Sequence, residues 1–226
     1  MPRHANDEYA TALTALQQGR FEEAKESLAQ VVASNPFHRN ARLALANLAL
    51  ERGDETGSEQ ILREGLQLDP KSATLAFPLA RIVVAQGNTR DGLEILRGAL
   101  PSAGDDPHYH AFVGALEQRT GNHNGAILQY HAALRKHPNN AVWLMGLGIS
   151  LAAEHKDDEA RQVFRIALDS HNLSAELHAY VEQQLRTLAH NTTPKDTNNN
   201  RAHPDEANNN NTHADEGNDN QLPSAE

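Results

Sequence analysis

Apolar side chains recur through most of this chain at spacings of three and four, the period of a helix that buries one face. Leu13, Leu16, Leu28 and Val31 follow it first, and predict helices near Asp7–Gln18 and Phe21–Ser34. Asn40–Arg52 and Glu55–Leu68 follow, with Asp54 placed to cap the second of them after Gly53. The third stretch runs from Ala73 to about Leu100 and holds a proline, Pro78, inside LAFPLARIVVAQG. Leu75 and Phe77 keep the period upstream of it, so the pattern predicts a kinked helix and not a late start. Two more helical stretches precede a last amphipathic one, Leu173–Leu188, which sets Leu177, Val181, Leu185 and Leu188 on one face behind Ser174 as its N-cap.

The stretches are copies of one another, 34 residues apart. Gly114 falls in a column with Ala12, Ala46, Ala80 and Gly148, and Ala126 with Ala24, Ser58, Gly92 and Ala160. Two helices approach closely only where facing side chains are short, which is what these columns hold. Leu28, Leu62, Leu96, Tyr130 and Phe164 form a larger column beside them. Gly19, Gly53, Gly87 and Gly121 end the first helix of each pair, and Pro36, Pro70 and Pro138 follow the second. His155 stands where a fifth glycine would be. The link PSAGDDP, Pro101–Pro107, replaces the usual closing proline with Gly104 and predicts a looser joint.

Over residues of roughly 5–188 this pattern resembles the tetratricopeptide repeat. The fold expected is all-α: a right-handed α-solenoid of five helix-turn-helix repeats, at about 5–38, 39–72, 73–106, 107–140 and 141–172, with a capping helix at 173–189. One repeat domain then covers 1–190. From Asn191 to Glu226 the composition turns to Asn, Asp, Glu, Thr and Pro, which predicts a disordered, solvating acidic tail.

The formal charge is −10, and half of it lies in that tail, where Asp196, Asp205, Glu206, Asp215, Glu216, Asp219 and Glu226 face only Lys195 and Arg201. Phosphate binding needs a basic stripe, so nucleic acid is not an expected partner. With no cysteine there is neither a disulfide framework nor a thiolate metal site. The opening MPRHANDEYA has no apolar run after its basic residues, and no stretch is long and apolar enough to span a bilayer. A role outside the cytoplasm would place the export or anchor information in a longer precursor or a partner.

The search for chemistry points away from catalysis and cofactors. Phosphate loops, nucleophile elbows and paired-His protease motifs are absent, and Gly146-Leu147-Gly148 lies inside a helix, where small-residue packing explains it. His108, His110, His123, His131 and His137 crowd one repeat, but residues two apart on a helix do not share a face, so no metal site is expected. Asp105-Asp106 and Asp157-Asp158 sit at helix starts, where negative charge complements the dipole.

The functional surface expected is a concave groove on the first helices, with Tyr9, Leu13, Leu43, Asn47, Phe77, Arg81, Phe112, Gln118, Arg119, Met145 and Ile149 as candidates. Its apolar lining suits an amphipathic helix or an extended apolar peptide. The Lys, Asn and Arg positions with which tetratricopeptide domains grip acidic chaperone termini are Tyr9, Leu13, Ala44, Thr74 and Pro78 here, so such a tail is not the expected ligand.

A narrower resemblance covers residues 106–188. Asp106-Pro107, Tyr109-His110, Gln118-Arg119, the segment WLMGLGISL at Trp143–Leu151 and the closing helix at Leu173–Leu185 are similar to the C-terminal repeat region of the MshN family, which serves biogenesis of the mannose-sensitive haemagglutinin (MSHA) type IV pilus. It implies a non-enzymatic scaffold at the periplasmic side of the inner membrane, with pilus-assembly components as partners. An adaptor in polysaccharide export or in a cytoplasmic complex, a non-catalytic regulatory subunit of an enzyme, and a homo-oligomer remain open at this point.

Overall fold

The computed structural model describes residues 2–191, and all the regular structure among them is helical. The α-helices are α1 (Pro2–Gln17), α2 (Phe21–Ser34), α3 (Arg39–Glu51), α4 (Glu55–Leu68), α5 (Ala73–Ala85), α6 (Thr89–Ala99), α7 (Pro107–Arg119), α8 (His123–Leu134), α9 (Ala141–Ala153), α10 (Asp157–Asp169) and α11 (Ala175–Asn191). They pack as five hairpins in sequence, with α11 closing the array against α10. The asparagine-rich segment after Asn191, read above as a disordered tail, lies outside the described residues. The last helix itself runs two residues past the expected end of the cap, through Asn191.

The turn within each hairpin is built the same way. Gly19, Gly53, Gly87 and Gly121 take φ of 71°, 80°, 92° and 84°, the left-handed region open to glycine, and His155 takes 59° in the fifth hairpin. In all five turns the next residue donates its N–H to the carbonyl five positions back, as in Arg20 to Ala15 (2.8 Å), Asn122 to Glu117 (2.9 Å) and Lys156 to Leu151 (2.9 Å). His155 therefore forms the glycine's turn with a side chain that opposes it. Asp54 and Asn122 then cap α4 and α8 by accepting the N–H groups of Gly57 (2.8 Å) and Gly125 (3.1 Å).

The small columns sit at the contacts. Ala12, Ala46, Ala80, Gly114 and Gly148 are all buried, as are Ala24, Ser58, Gly92, Ala126 and Ala160. A Cβ built on Gly148 would stand 2.5 Å from the Phe164 ring, and one on Gly92 would stand 2.5 Å from Val84 Cγ2. The larger column of Leu28, Leu62, Leu96, Tyr130 and Phe164 is buried throughout. Core clusters bridge consecutive repeats: Leu28 and Val31 of α2 meet Ala12 and Ala41, while Leu93 and Leu96 of α6 meet Ala80, Tyr109, Val113 and Leu116. Each second helix thus seats one narrow face between the first helices of its own and the following repeat.

Two places depart from the simple pattern. Helix α5 begins at Ala73 and runs on past Pro78, its sixth residue, where the missing N–H leaves the Thr74 carbonyl without its helical donor. The link after α6 is tied down where the sequence predicts a looser joint. The Tyr109 hydroxyl donates to Leu96 O at 2.9 Å, a His110 ring nitrogen lies 2.9 Å from Gly104 O, and Arg135 and Lys136 flank Asp105 at 3.7 and 3.6 Å. At the far end Val181 and Leu188 of α11 are buried in the cluster that holds Phe164 and Ala167, and the Ser174 hydroxyl accepts the Leu177 N–H at 3.4 Å.

The left-handed turn predicts that His155→Gly stabilises the protein by about 1 kcal/mol, while Gly121→Ala destabilises it by a similar amount. Thermal melts followed by circular dichroism should show opposite shifts of about 2–4 °C, and a fall with His155→Gly would refute the strain at that turn. Burial pushes the Tyr130 hydroxyl up to about 12, and the Tyr109 hydroxyl is raised as well. A raised folded-state pKa contributes stability that is whole below the unfolded value near 10 and is lost as pH rises toward the folded value. Melting temperature should fall with pH through that window, and fall less steeply in Tyr130→Phe; equal slopes would show that Tyr130 ionisation is not involved.

Candidate functional site

Two columns of first-helix residues run along the array. Tyr9, Leu43, Phe77, Ala111 and Met145 share one repeat position, and Leu13, Asn47, Arg81, Ala115 and Ile149 follow one turn later on the same faces. Between α3, α5 and the start of α7 they border a cleft of about 460 Å³, lined by Leu43, Asn47, Ala73, Thr74, Phe77, Pro78, Ser102, Ala103, Asp106 and Tyr109. Its apolar wall is aromatic. The Phe77 ring lies 5.7 Å from Tyr109 and 5.6 Å, edge to face, from Phe112. Tyr109 is locked by its hydroxyl bond to Leu96 and is only 2 % exposed, so it forms a fixed floor. Polar groups are at the rim. Thr74 is exposed, and Asp106 caps α7 by accepting the N–H groups of His108 (2.9 Å) and Tyr109 (3.2 Å) at Oδ1.

Of the eleven candidate residues, the cleft gathers Leu43, Asn47 and Phe77, with Phe112 packed behind Phe77. Arg81 is exposed one turn beyond Phe77 and makes no ion pair with any described residue. Tyr9 belongs to the first hairpin, its ring 4.8 Å from His38, and Leu13 is 37 % exposed beyond it. Met145 and Ile149 are half-buried against the core around Trp143 and Leu147. Gln118 already has its partners: its Nε2 donates to Gly146 O (2.9 Å) and Ser150 Oγ (2.8 Å), and its Oε1 accepts from Tyr130 at 3.4 Å. It ties α7 to α9. Arg119 lines a separate polar pocket of about 430 Å³ with the Gly87–Asp91 turn and Thr120.

Sequence reading missed Thr74, Ser102, Asp106 and Tyr109. The repeat offset could have found Thr74, which shares a column with Asn40 and His108, and would have replaced Phe112 by Ala111 in the column of Phe77. The same offset places Asp106 in the N-cap column of His38, Ser72 and Asn140, whereas Ser102 ends the short 3-10 turn after α6.

A buried carboxylate of the array lies elsewhere. Glu117, 5 % exposed, accepts a two-pronged contact from Arg97 (Nε to Oε1 2.9 Å, Nη2 to Oε2 2.7 Å) and a third bond from Asn122 Nδ2 at 2.7 Å. The hydrogen bond to Glu117 raises the Arg97 pKa further above its ordinary value. Every oxygen of that carboxylate is engaged within the fold. The histidines separate by face: the His108 and His137 rings meet Trp143 edge-on at 5.3 and 5.7 Å, while His110 lies 2.7 Å from Gln129 Oε1 of α8. Among the described residues no three His, Asp or Glu side chains are grouped to hold a metal ion, and no helix is long and apolar enough to cross a membrane.

Sequence models of the tetratricopeptide repeat match residues 9–73 and 114–175, and a second such model matches 49–116. No curated protein matches the chain. Among solved structures it is similar to MamA, at 18 % identity over 77 % of this chain and 98 % of that one, with a TM-score of 0.61. It is also similar to YrrB, described as a TPR protein with an unusual peptide-binding site, at 15 % identity over 78 % and 90 % of the two chains and a TM-score of 0.65. At these identities the likeness is one of fold. The internal period, the five glycine-type turns and the matched segments lead to one assignment: the chain belongs to the tetratricopeptide repeat family.

Proposed function

We propose that this protein is a non-enzymatic scaffold that holds a segment of a partner protein against its first-helix face, centred on the cleft of Leu43, Asn47 and Phe77. The observation that carries the reading is the cleft itself. It has a rigid aromatic floor, polar groups at its rim and enough volume for one or two side chains of a peptide. Preformed walls lower the cost of binding, since little has to be ordered when the partner arrives. Membership of a family of protein-interaction scaffolds supports it.

The setting we infer is assembly of a type IV pilus of the MSHA kind, at the periplasmic side of the inner membrane. It is supported by the resemblance of residues 106–188, in which Asp106-Pro107, Tyr109-His110 and Trp143–Leu151 take part. Asp106 and Tyr109 belong to the cleft, so the segment that carries the resemblance also helps to build the proposed site.

A crosslinking pull-down from the native host, with the intact chain and a Leu43→Glu, Phe77→Glu variant of unchanged helicity, tests both parts. Each buried charge should cost about 2 kcal/mol of binding, and recovery of pilus-assembly components should drop by at least about tenfold. Equal recovery by both proteins would refute the cleft as the site. Loss of partners that are not pilus components would keep the site and refute the setting.

A further inference from the structure

On the reading that the first-helix face binds a partner segment, we propose that the segment is an acidic one, which lays an apolar side chain against Phe77 in the cleft and sets an Asp or Glu side chain on Arg81. Arg81 stands one turn beyond Phe77 on the same face of α5, so an extended peptide crossing the cleft passes both. Its place is what singles it out. Arg20, Arg39, Arg42, Arg52, Arg63 and Arg97 all have acidic partners within the array, in a chain whose formal charge is −10. Arg81, Arg90, Arg119 and Arg165 have none among the described residues, and of these four Arg81 is the one a single helical turn from Phe77 of the cleft. At its level the neighbouring first helices offer Asn47 and Ala115, and α5 itself contains no acidic residue.

The acids that do belong to α7 are already committed. Glu117 is held by Arg97 and Asn122, and Asp106 lies at the opposite end of the cleft with Oδ1 taken by two backbone N–H groups. An unanswered guanidinium one turn from an apolar wall is a site for a carboxylate, whose two oxygens match its fork. A side-chain carboxylate fits better than a basic or neutral residue, because any cation placed there would face Arg81 with no acid between them.

The test is a random peptide library panned on the full chain, with the enriched peptides resynthesised and measured by fluorescence anisotropy against the wild type, Phe77→Ala, Arg81→Gln and Arg81→Glu. The proposal expects binders with Asp or Glu next to an apolar anchor, weakened about tenfold by Arg81→Glu, weakened by added salt, and rescued in that variant when the peptide acid is replaced by Lys. Binders lost with Phe77→Ala but indifferent to Arg81→Glu would overturn this inference and leave the cleft as the site. Binders indifferent to both substitutions, at unchanged helicity, would overturn the cleft as well.

Discussion

Everything in this array depends on how closely its helices can approach at the two small columns. Gly148 has no room for a methyl group against Phe164, and Gly92 has none against Val84. Because small buried residues recur at Ala12 and Ala24, at Ala46 and Ser58, and at Gly114 and Ala126, the hairpins close in a similar way and each can be stacked on its neighbour by a similar step. The core that results is a series of local clusters, each shared by consecutive repeats. Stability is then a sum over neighbours, and α11 is needed because the last hairpin would otherwise expose the face that Val181 and Leu188 now cover.

Polar side chains enter this core where repeats join, and they replace apolar packing by directional bonds. Arg42 is 4 % exposed, donates to the carbonyls of Ile61 (3.1 Å) and Pro36 (3.3 Å), and passes over Gly65, where any Cβ would collide with it. Gln118 does the same between α7 and α9, and the Arg97–Glu117 pair between α6 and α7. Such groups add little net stability over well-packed apolar residues, but losing one partner leaves the other unsatisfied, so they favour a single relative placement of the repeats. The placement matters here, since the cleft is assembled from α3, α5 and the start of α7.

This division also explains what the sequence could reveal. The period was legible because it is a steric requirement: a residue type is forced at each close contact, and Gly19, Gly53, Gly87 and Gly121 announce the turns by their backbone geometry. His155 could be placed in that column, but its left-handed φ came from the structure. The face of the first helices was legible as well, and Leu43, Asn47 and Phe77 meet there. What the sequence did not announce is that Gln118 bonds to Gly146 and Ser150, because these partners lie nearly a whole repeat away. Tyr109 and Asp106 keep the repeat register, beside Leu75 and Ser72 one repeat earlier, but that register marks them as a core residue and an N-cap and does not reveal that they also line a cleft.

The groove is therefore uneven, although the array that carries it is regular. The column that holds Leu43 and Phe77 continues as Ala111, and the column of Asn47 and Arg81 continues as Ala115, so the fourth repeat presents small side chains where the second and third present large or polar ones. Beyond it Met145 and Ile149 return to apolar bulk but are half-buried in the C-terminal core. Large and polar side chains on this face are thus concentrated over two repeats, where the partner segment we propose would gain most of its contact. Phe77 lies at the centre of that region with its ring packed against Phe112 and Tyr109, which fixes an apolar surface against which the proposed segment would be registered.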